Sequence, residues 1–212
     1  MKLSTAIKEE LVNSITHGVG GALGIAGTVV AIVFAALYGD AYSVVSASIY
    51  GAMLIILYTM STLYHALTNK TAKRVFRIFD HCSIFLLIAG TYTPFTLGPL
   101  RGALGWTIFG IIWGMTALGV VLKSVNLEKF KVFSMICYIA MGWMIIIAIK
   151  PLLDAMGWTA MWLLIAGGLS YTVGVIFFSM KAPYMHGIWH LFVLGGSVLH
   201  YFAILFYALP VK

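Results

Sequence analysis

Charged residues fall in short bursts along this chain. Long charge-free runs separate them, at 11–39, 41–69, 82–100, 102–122, 132–149, 155–180 and 182–211. An α-helix rises about 1.5 Å per residue, so roughly 20 apolar residues cross a hydrocarbon core about 30 Å thick. Every run is near or above that length. The pattern therefore predicts an all-α integral membrane protein, a seven-transmembrane-helix bundle with spans at about 15–38, 43–67, 80–98, 102–122, 132–149, 158–180 and 184–208. Gly39-Asp40, Gly98-Pro99, Pro151 and Pro183 punctuate the proposed ends, as breakers should. Pro94 lies inside the third span and predicts a kink there, which membrane helices tolerate when neighbours satisfy the freed carbonyl. Residues 1–14 mix Lys2, Lys8, Glu9 and Glu10 with Leu3, Ile7 and Leu11, the make-up of a short helix lying at the interface. Gly20-x-x-x-Gly24 and Gly110-x-x-x-Gly114 are candidates for close helix contacts.

Composition strengthens the membrane reading. Hydrophobic residues make up 62% of the 212 and charged ones 9%, against about 25% charged in an ordinary soluble domain. No soluble core of this size hides so much apolar surface, so the surplus faces lipid. Seven spans of about 22 residues consume roughly 154 residues, which leaves residues 1–212 as a single membrane domain. The first apolar run is too long for a signal-peptide core and no small-residue cleavage site follows it, so it is expected to remain as a span. The net charge of +7 reflects topology rather than nucleic-acid binding. Ten Lys and Arg lie in the N-terminal segment and the second, fourth and sixth loops, and three lie on the other side. That asymmetry predicts a cytoplasmic N-terminus and a C-terminus outside. Cys82 and Cys137 give no disulfide framework and sit near cytoplasmic ends, where thiols stay reduced.

Ionisable groups inside membrane spans are costly, so each needs a partner or a role. Here they are His17, His65, Asp80, His81, His186, His190 and His200. With the predicted topology, six of the seven lie near the cytoplasmic face, drawn from four different spans. Only His200 stands apart, about 21 Å beyond His186 along the seventh helix. His186-Gly-Ile-Trp-His190 is an i, i+4 pair whose rings project from one helix face. Such a pair also serves packing, but the convergence with His65 points to a metal ion held by three nitrogens. A fourth position open to water is the usual pattern of a catalytic zinc site. Ser61 lies four residues before His65, and Asp80 is placed to orient that water and take its proton. His81 is about 100° around the helix from Asp80 and reads as an outer or interface group. His17 reads as a group that hydrogen-bonds a carboxylate or carbonyl behind a ligand, and His200 as bonded within the bundle.

The residues close off several alternatives. No lysine lies between Lys181 and Lys212, so a retinal Schiff base on the seventh span is not available. There is no Gly-x-Ser-x-Gly elbow, no phosphate loop, and no charge relay across the bilayer.

The blocks Glu10-Leu-Val-Asn-Ser-Ile-Thr-His17-Gly, Ser61-Thr-Leu-Tyr-His65, Phe79-Asp80-His81 and His186-Gly-Ile-Trp-His190 resemble, in order, those of the bacterial hemolysin III proteins, the prokaryotic branch of the progestin and adipoQ receptor family. The resemblance implies seven helices, a cytoplasmic N-terminus, an intramembrane zinc site and residence in the bacterial plasma (inner) membrane. It assigns zinc to His65, His186 and His190, and the holding of water to Asp80 and Ser61. The long N-terminal extension of the animal receptors has no counterpart here, so a hormone-receptor role is not implied. Because relatives are ceramidase-like, the leading expectation is zinc-assisted hydrolysis of a lipid amide or ester at the cytoplasmic leaflet, with membrane lipid as substrate or ligand. A second is a non-catalytic, zinc-stabilised bundle that senses membrane state in lipid homeostasis. A third, a pore-forming cytolysin, comes from the family's name and ranks last for a protein expected to stay in its own membrane.

Overall fold

A computed structural model describes residues 4–210. The helices are α1 (Thr5–Tyr38), α2 (Ala41–Ala66), α3 (Lys70–Leu97), α4 (Ala103–Val125), α5 (Lys131–Trp143), α6 (Ile149–Ser179) and α7 (Met185–Ala203). A 3-10 segment, Met144–Ala148, joins α5 to α6, and a π-helical turn, Ile204–Ala208, extends α7. No strand occurs among the described residues.

Polar side chains start the first three helices by satisfying their free N–H groups. The Ser4 hydroxyl accepts from Ile7 N–H, and Asp40 Oδ1 accepts from Ser43 N–H at 2.9 Å. Asn69 Oδ1 accepts from the Thr71 and Ala72 N–H groups, both at 3.0 Å. That cap explains why α3 begins at Lys70 rather than near residue 80. Lys70, Lys73, Arg74 and Arg77 ride on its first turns instead of lying in a loop. Residues 5–14 are likewise not a separate helix. No breaker divides them from 15–38, and they form one continuous 34-residue helix with them. Residues 1–3 of that predicted segment lie outside the described residues. α3 runs through Pro94 to Leu97.

Six stretches are long and apolar enough to cross a membrane. The fifth is the 49-residue run Lys131–Ser179, which as one straight helix would reach about 73 Å, more than twice a hydrocarbon core. It is not straight. The α-helix tightens into the 3-10 segment after Trp143, and Gly157 breaks α6 with φ 79° and ψ 173°. Positive φ is strained for a residue with a Cβ, which is why glycine occupies the break. Tyr92 of α3 looks after the irregular backbone. Its hydroxyl donates to the Met141 carbonyl at 2.7 Å and accepts the Ile145 N–H at 2.8 Å, as non-helical backbone within an apolar bundle requires.

α1 packs on α2, α2 on α3, α3 on α4, α6 on α7, and α7 back on α1. Small residues set the close approaches. A Cβ on Gly20 would stand 2.5 Å from the Tyr58 ring, and one on Gly24 would touch Leu54. Gly110 and Gly114, the other predicted contact pair, face open space; α4 makes its approach to α3 at Gly105 and Gly119 instead. The radial distribution of polarity is that of a bundle in lipid. Val125, Ile147 and Val132 are 76%, 72% and 71% exposed, while Asn13, His17, Ser61, His65, Asp80 and His190 are buried. This is a multi-pass membrane protein. At one end of the bundle Arg101 bonds to Asp40, tying the α3–α4 turn to the α1–α2 turn and holding the Asp40 carboxyl below its usual range. The histidines other than His200 lie toward the other end.

Candidate metal centre

Short turns make neighbouring helices antiparallel, so the last turn of α2 and the first turns of α3 and α7 meet at the same end of the bundle. His65 comes from α2, and His186 and His190 from α7. One ligand nitrogen from each lies within 4.8 Å of the other two, a grouping able to hold a metal ion. The Nε2 atoms of all three are buried and meet no hydrogen-bond partner.

For His65 and His190 the opposite nitrogen explains why. His65 Nδ1 lies 2.7 Å from Glu10 Oε2, and Glu10 Oε1 lies 2.9 Å from Lys73 Nζ. A carboxylate beside an ammonium accepts hydrogen bonds, so His65 carries its proton on Nδ1 and leaves the Nε2 lone pair free. His190 Nδ1 lies 3.2 Å from the Asn13 carbonyl oxygen and 3.2 Å from Thr16 Oγ1. A carbonyl only accepts, so this ring too is protonated on Nδ1 with Nε2 bare. Metal-binding histidines are oriented in this way, their second nitrogen donating to a carboxylate or carbonyl. Three imidazole nitrogens, unpartnered and buried, form a donor set suited to a borderline cation such as zinc or copper.

The remaining predicted residues surround this set. Ser61, one turn before His65, is fully buried and its hydroxyl has no hydrogen-bond partner, although Asp80 is within its electrostatic reach. Asp80 is buried, with Oδ2 3.7 Å from Nδ1 of its neighbour His81. His81 faces the same cavity as Asp80, and its backbone carbonyl accepts from the Tyr138 hydroxyl at 2.8 Å. His17 does not make the hydrogen bond expected of it. Both its nitrogens are unpartnered, and the ring stacks on His190 with centroids 3.5 Å apart and planes 13° from parallel. Tyr58 meets it edge-on at 5.0 Å. His200 Nδ1 bonds to the Gly196 carbonyl within α7.

Three residues that sequence reasoning passed over belong to the site: Glu10, Asn13 and Thr16. The signal was present, since Glu10, Asn13 and Thr16 recur every three residues and so share a face of α1 with His17. Glu9, beside them, accepts from the Tyr184 backbone N–H at 2.6 Å, clamping the left-handed residue that precedes α7. Loss of the charge on Glu10 has a specific consequence. Glu10→Gln is expected to weaken metal binding about 10–100-fold, measured by competition with a calibrated chelator; unchanged affinity would show that Glu10 does not tune His65.

A cavity of about 310 Å³ opens from this cluster. Asp80, His81 and His186 line one end, and Tyr92, Trp143 and His200 the other.

Comparison with known proteins gives a consistent picture. A family model described as "Haemolysin-III related" matches residues 5–201. Hemolysin-3 of Bacillus cereus is 47% identical over 210 residues, which cover 99% of this chain and 96% of that protein. The Hemolysin-3 homolog of Bacillus subtilis (strain 168) is 47% identical over 206 residues, 97% of each chain. Monocyte to macrophage differentiation factor of Homo sapiens is 33% identical over 179 residues, 79% of this chain and 72% of that one.

Proposed function

The chain belongs to the haemolysin-III-related family, and from that membership and the histidine cluster we propose a seven-helix zinc protein of the bacterial plasma membrane that hydrolyses a lipid amide or ester at the cytoplasmic leaflet. One observation carries the reading: three buried, unpartnered imidazole nitrogens gather within 4.8 Å of one another, and one of these histidines, His186, lines a cavity together with the buried carboxylate of Asp80.

His65, His186 and His190 would hold the ion. When bound, zinc supplies Lewis acidity, which polarises a carbonyl and eases loss of a proton from water near neutral pH. Asp80 takes that proton as the water oxygen bonds to the carbonyl carbon. It then returns the proton to the leaving amine or alkoxide as the C–N or C–O bond breaks. The products are a free fatty acid and an amine or alcohol. Ser61 donates its hydroxyl hydrogen to the attacking water or to the developing oxyanion. The apolar walls of the cavity take the acyl chain and keep bulk water out.

Seven spans follow if the run Lys131–Ser179 crosses the bilayer twice, with Gly157 near the turn. The excess of Lys and Arg at the histidine end supports a cytoplasmic N-terminus.

The test is release of fatty acid from a panel of lipid amides and esters by detergent-purified protein, before and after chelation. Zinc-dependent release from one class is the expected result. If zinc-loaded protein releases nothing from any member, hydrolysis falls and the metal is left as a tie between α2 and α7, the sensor reading.

A further inference from the structure

The mouth of the cavity carries more positive charge than the site's chemistry requires. Arg77, Lys123 and Lys131 line it alongside Asp80 and His81. They arrive from the first turns of α3, the last turn of α4 and the start of α5. Cations at this end of a membrane protein commonly meet the bilayer's own headgroups, pointing outward. Lys123 does not. It is 3% exposed, and its ammonium's partner is the Leu127 carbonyl at 3.5 Å, a long contact. Arg77 is paired with Glu128, but no ion pair forms at Lys123 or Lys131 among the described residues. A buried ammonium whose nearest carboxylate, Glu128, is already paired to Arg77 and acts on it only through space is costly. One that faces a cavity calls for an anion within it.

The cavity's other dimension narrows the class of anion. Arg77 and Tyr92 both line it and stand about 22 Å apart along α3, longer than half of a hydrocarbon core of about 30 Å. Between them the walls are Ile84, Leu87 and Ile88. Its volume is at the low end of ligand pockets, room for one acyl chain. We infer that the cavity selects a lipid ending in a phosphomonoester, held by Lys123, Lys131 and Arg77 at the mouth, with a single acyl chain running inward toward Trp143 and His200. The inference rests on the cavity being the lipid site of the proposed function, and it names the substrate class.

Binding tests it separately from turnover. The Asp80→Asn protein is purified in a neutral detergent and titrated, by native mass spectrometry, with lysophosphatidate, lysophosphatidylcholine of the same chain length, and inorganic phosphate. Lysophosphatidate is expected to bind one per chain, about tenfold or more tighter than the choline lipid, the worth of one charge-assisted hydrogen bond. Inorganic phosphate alone is expected not to bind measurably. Lys123→Met and the exposed Lys131→Gln should each weaken lysophosphatidate more than the choline lipid and so narrow the preference. Lys131→Gln keeps the test valid if Lys123→Met fails to fold. Equal affinity for the two lipids overturns the inference, as does a preference that both variants retain. Phosphate binding as tight as the lipid's overturns the lipid part. Metal content and fatty-acid release from wild-type protein separate the failures. Zinc and hydrolysis without head-group preference remove this inference alone.

Discussion

His186→Ala/His190→Ala protein is expected to hold no zinc, against about one per chain in the wild type, by elemental analysis after detergent purification. The argument is one of donors. Removing both α7 imidazoles leaves His65 as the remaining nitrogen of the set, and one neutral ligand does not compete with water for a divalent ion that takes four. The oxygens behind the ligands do not substitute, because Glu10 and the Asn13 carbonyl sit on the Nδ1 side of the rings, away from the ligand nitrogens. His17 supplies the control. It stacks on His190 with unpartnered nitrogens, so it is close enough to be mistaken for a ligand. His17→Phe keeps the stack and removes the nitrogens, and is expected to retain full zinc. Zinc retained by the double variant, or lost from His17→Phe, would reassign the ligands. Circular dichroism on each variant guards against counting a misfolded protein as a metal-free one.

Asp80→Asn is expected to keep zinc and lose turnover by about 10²–10⁴-fold, the usual worth of a positioned general base, or about 3–5 kcal/mol in the barrier. Asparagine matches the volume of aspartate in its buried position and still hydrogen-bonds, but it cannot take a proton from water. Fatty-acid release at saturating lipid is the readout, with metal content measured on the same sample. A variant that keeps both zinc and rate ends the role of Asp80 as base. One that loses both makes Asp80 a structural support of the centre.

Much of this was legible in the sequence because it depends on local spacing and on the cost of charge in lipid. Charge-free runs mark helices, breakers mark their ends, and an i, i+4 histidine pair shares a face wherever the helix lies. The common depth of His65, Asp80 and His186 follows from counting residues along spans of alternating direction. Helix starts were less legible. α3 begins ten residues before its predicted span, since a helix needs a cap and hydrogen bonds rather than hydrophobicity to begin.

What the sequence by itself determined is the membrane bundle, the chemical types at its polar end and their common depth. What only the tertiary structure decided is which groups face one another there. Glu10 on His65, Asn13 and Thr16 on His190, and His17 stacked on His190 instead of hydrogen-bonded all depend on the rotation of α1 against α2 and α7. So does the choice of contact glycines, with Gly20 and Gly24 pressed on α2 while Gly110 and Gly114 face open space. A helix's own pattern defines its faces, but which face meets which neighbour is set by the packing of the whole bundle, through contacts between residues distant in the chain.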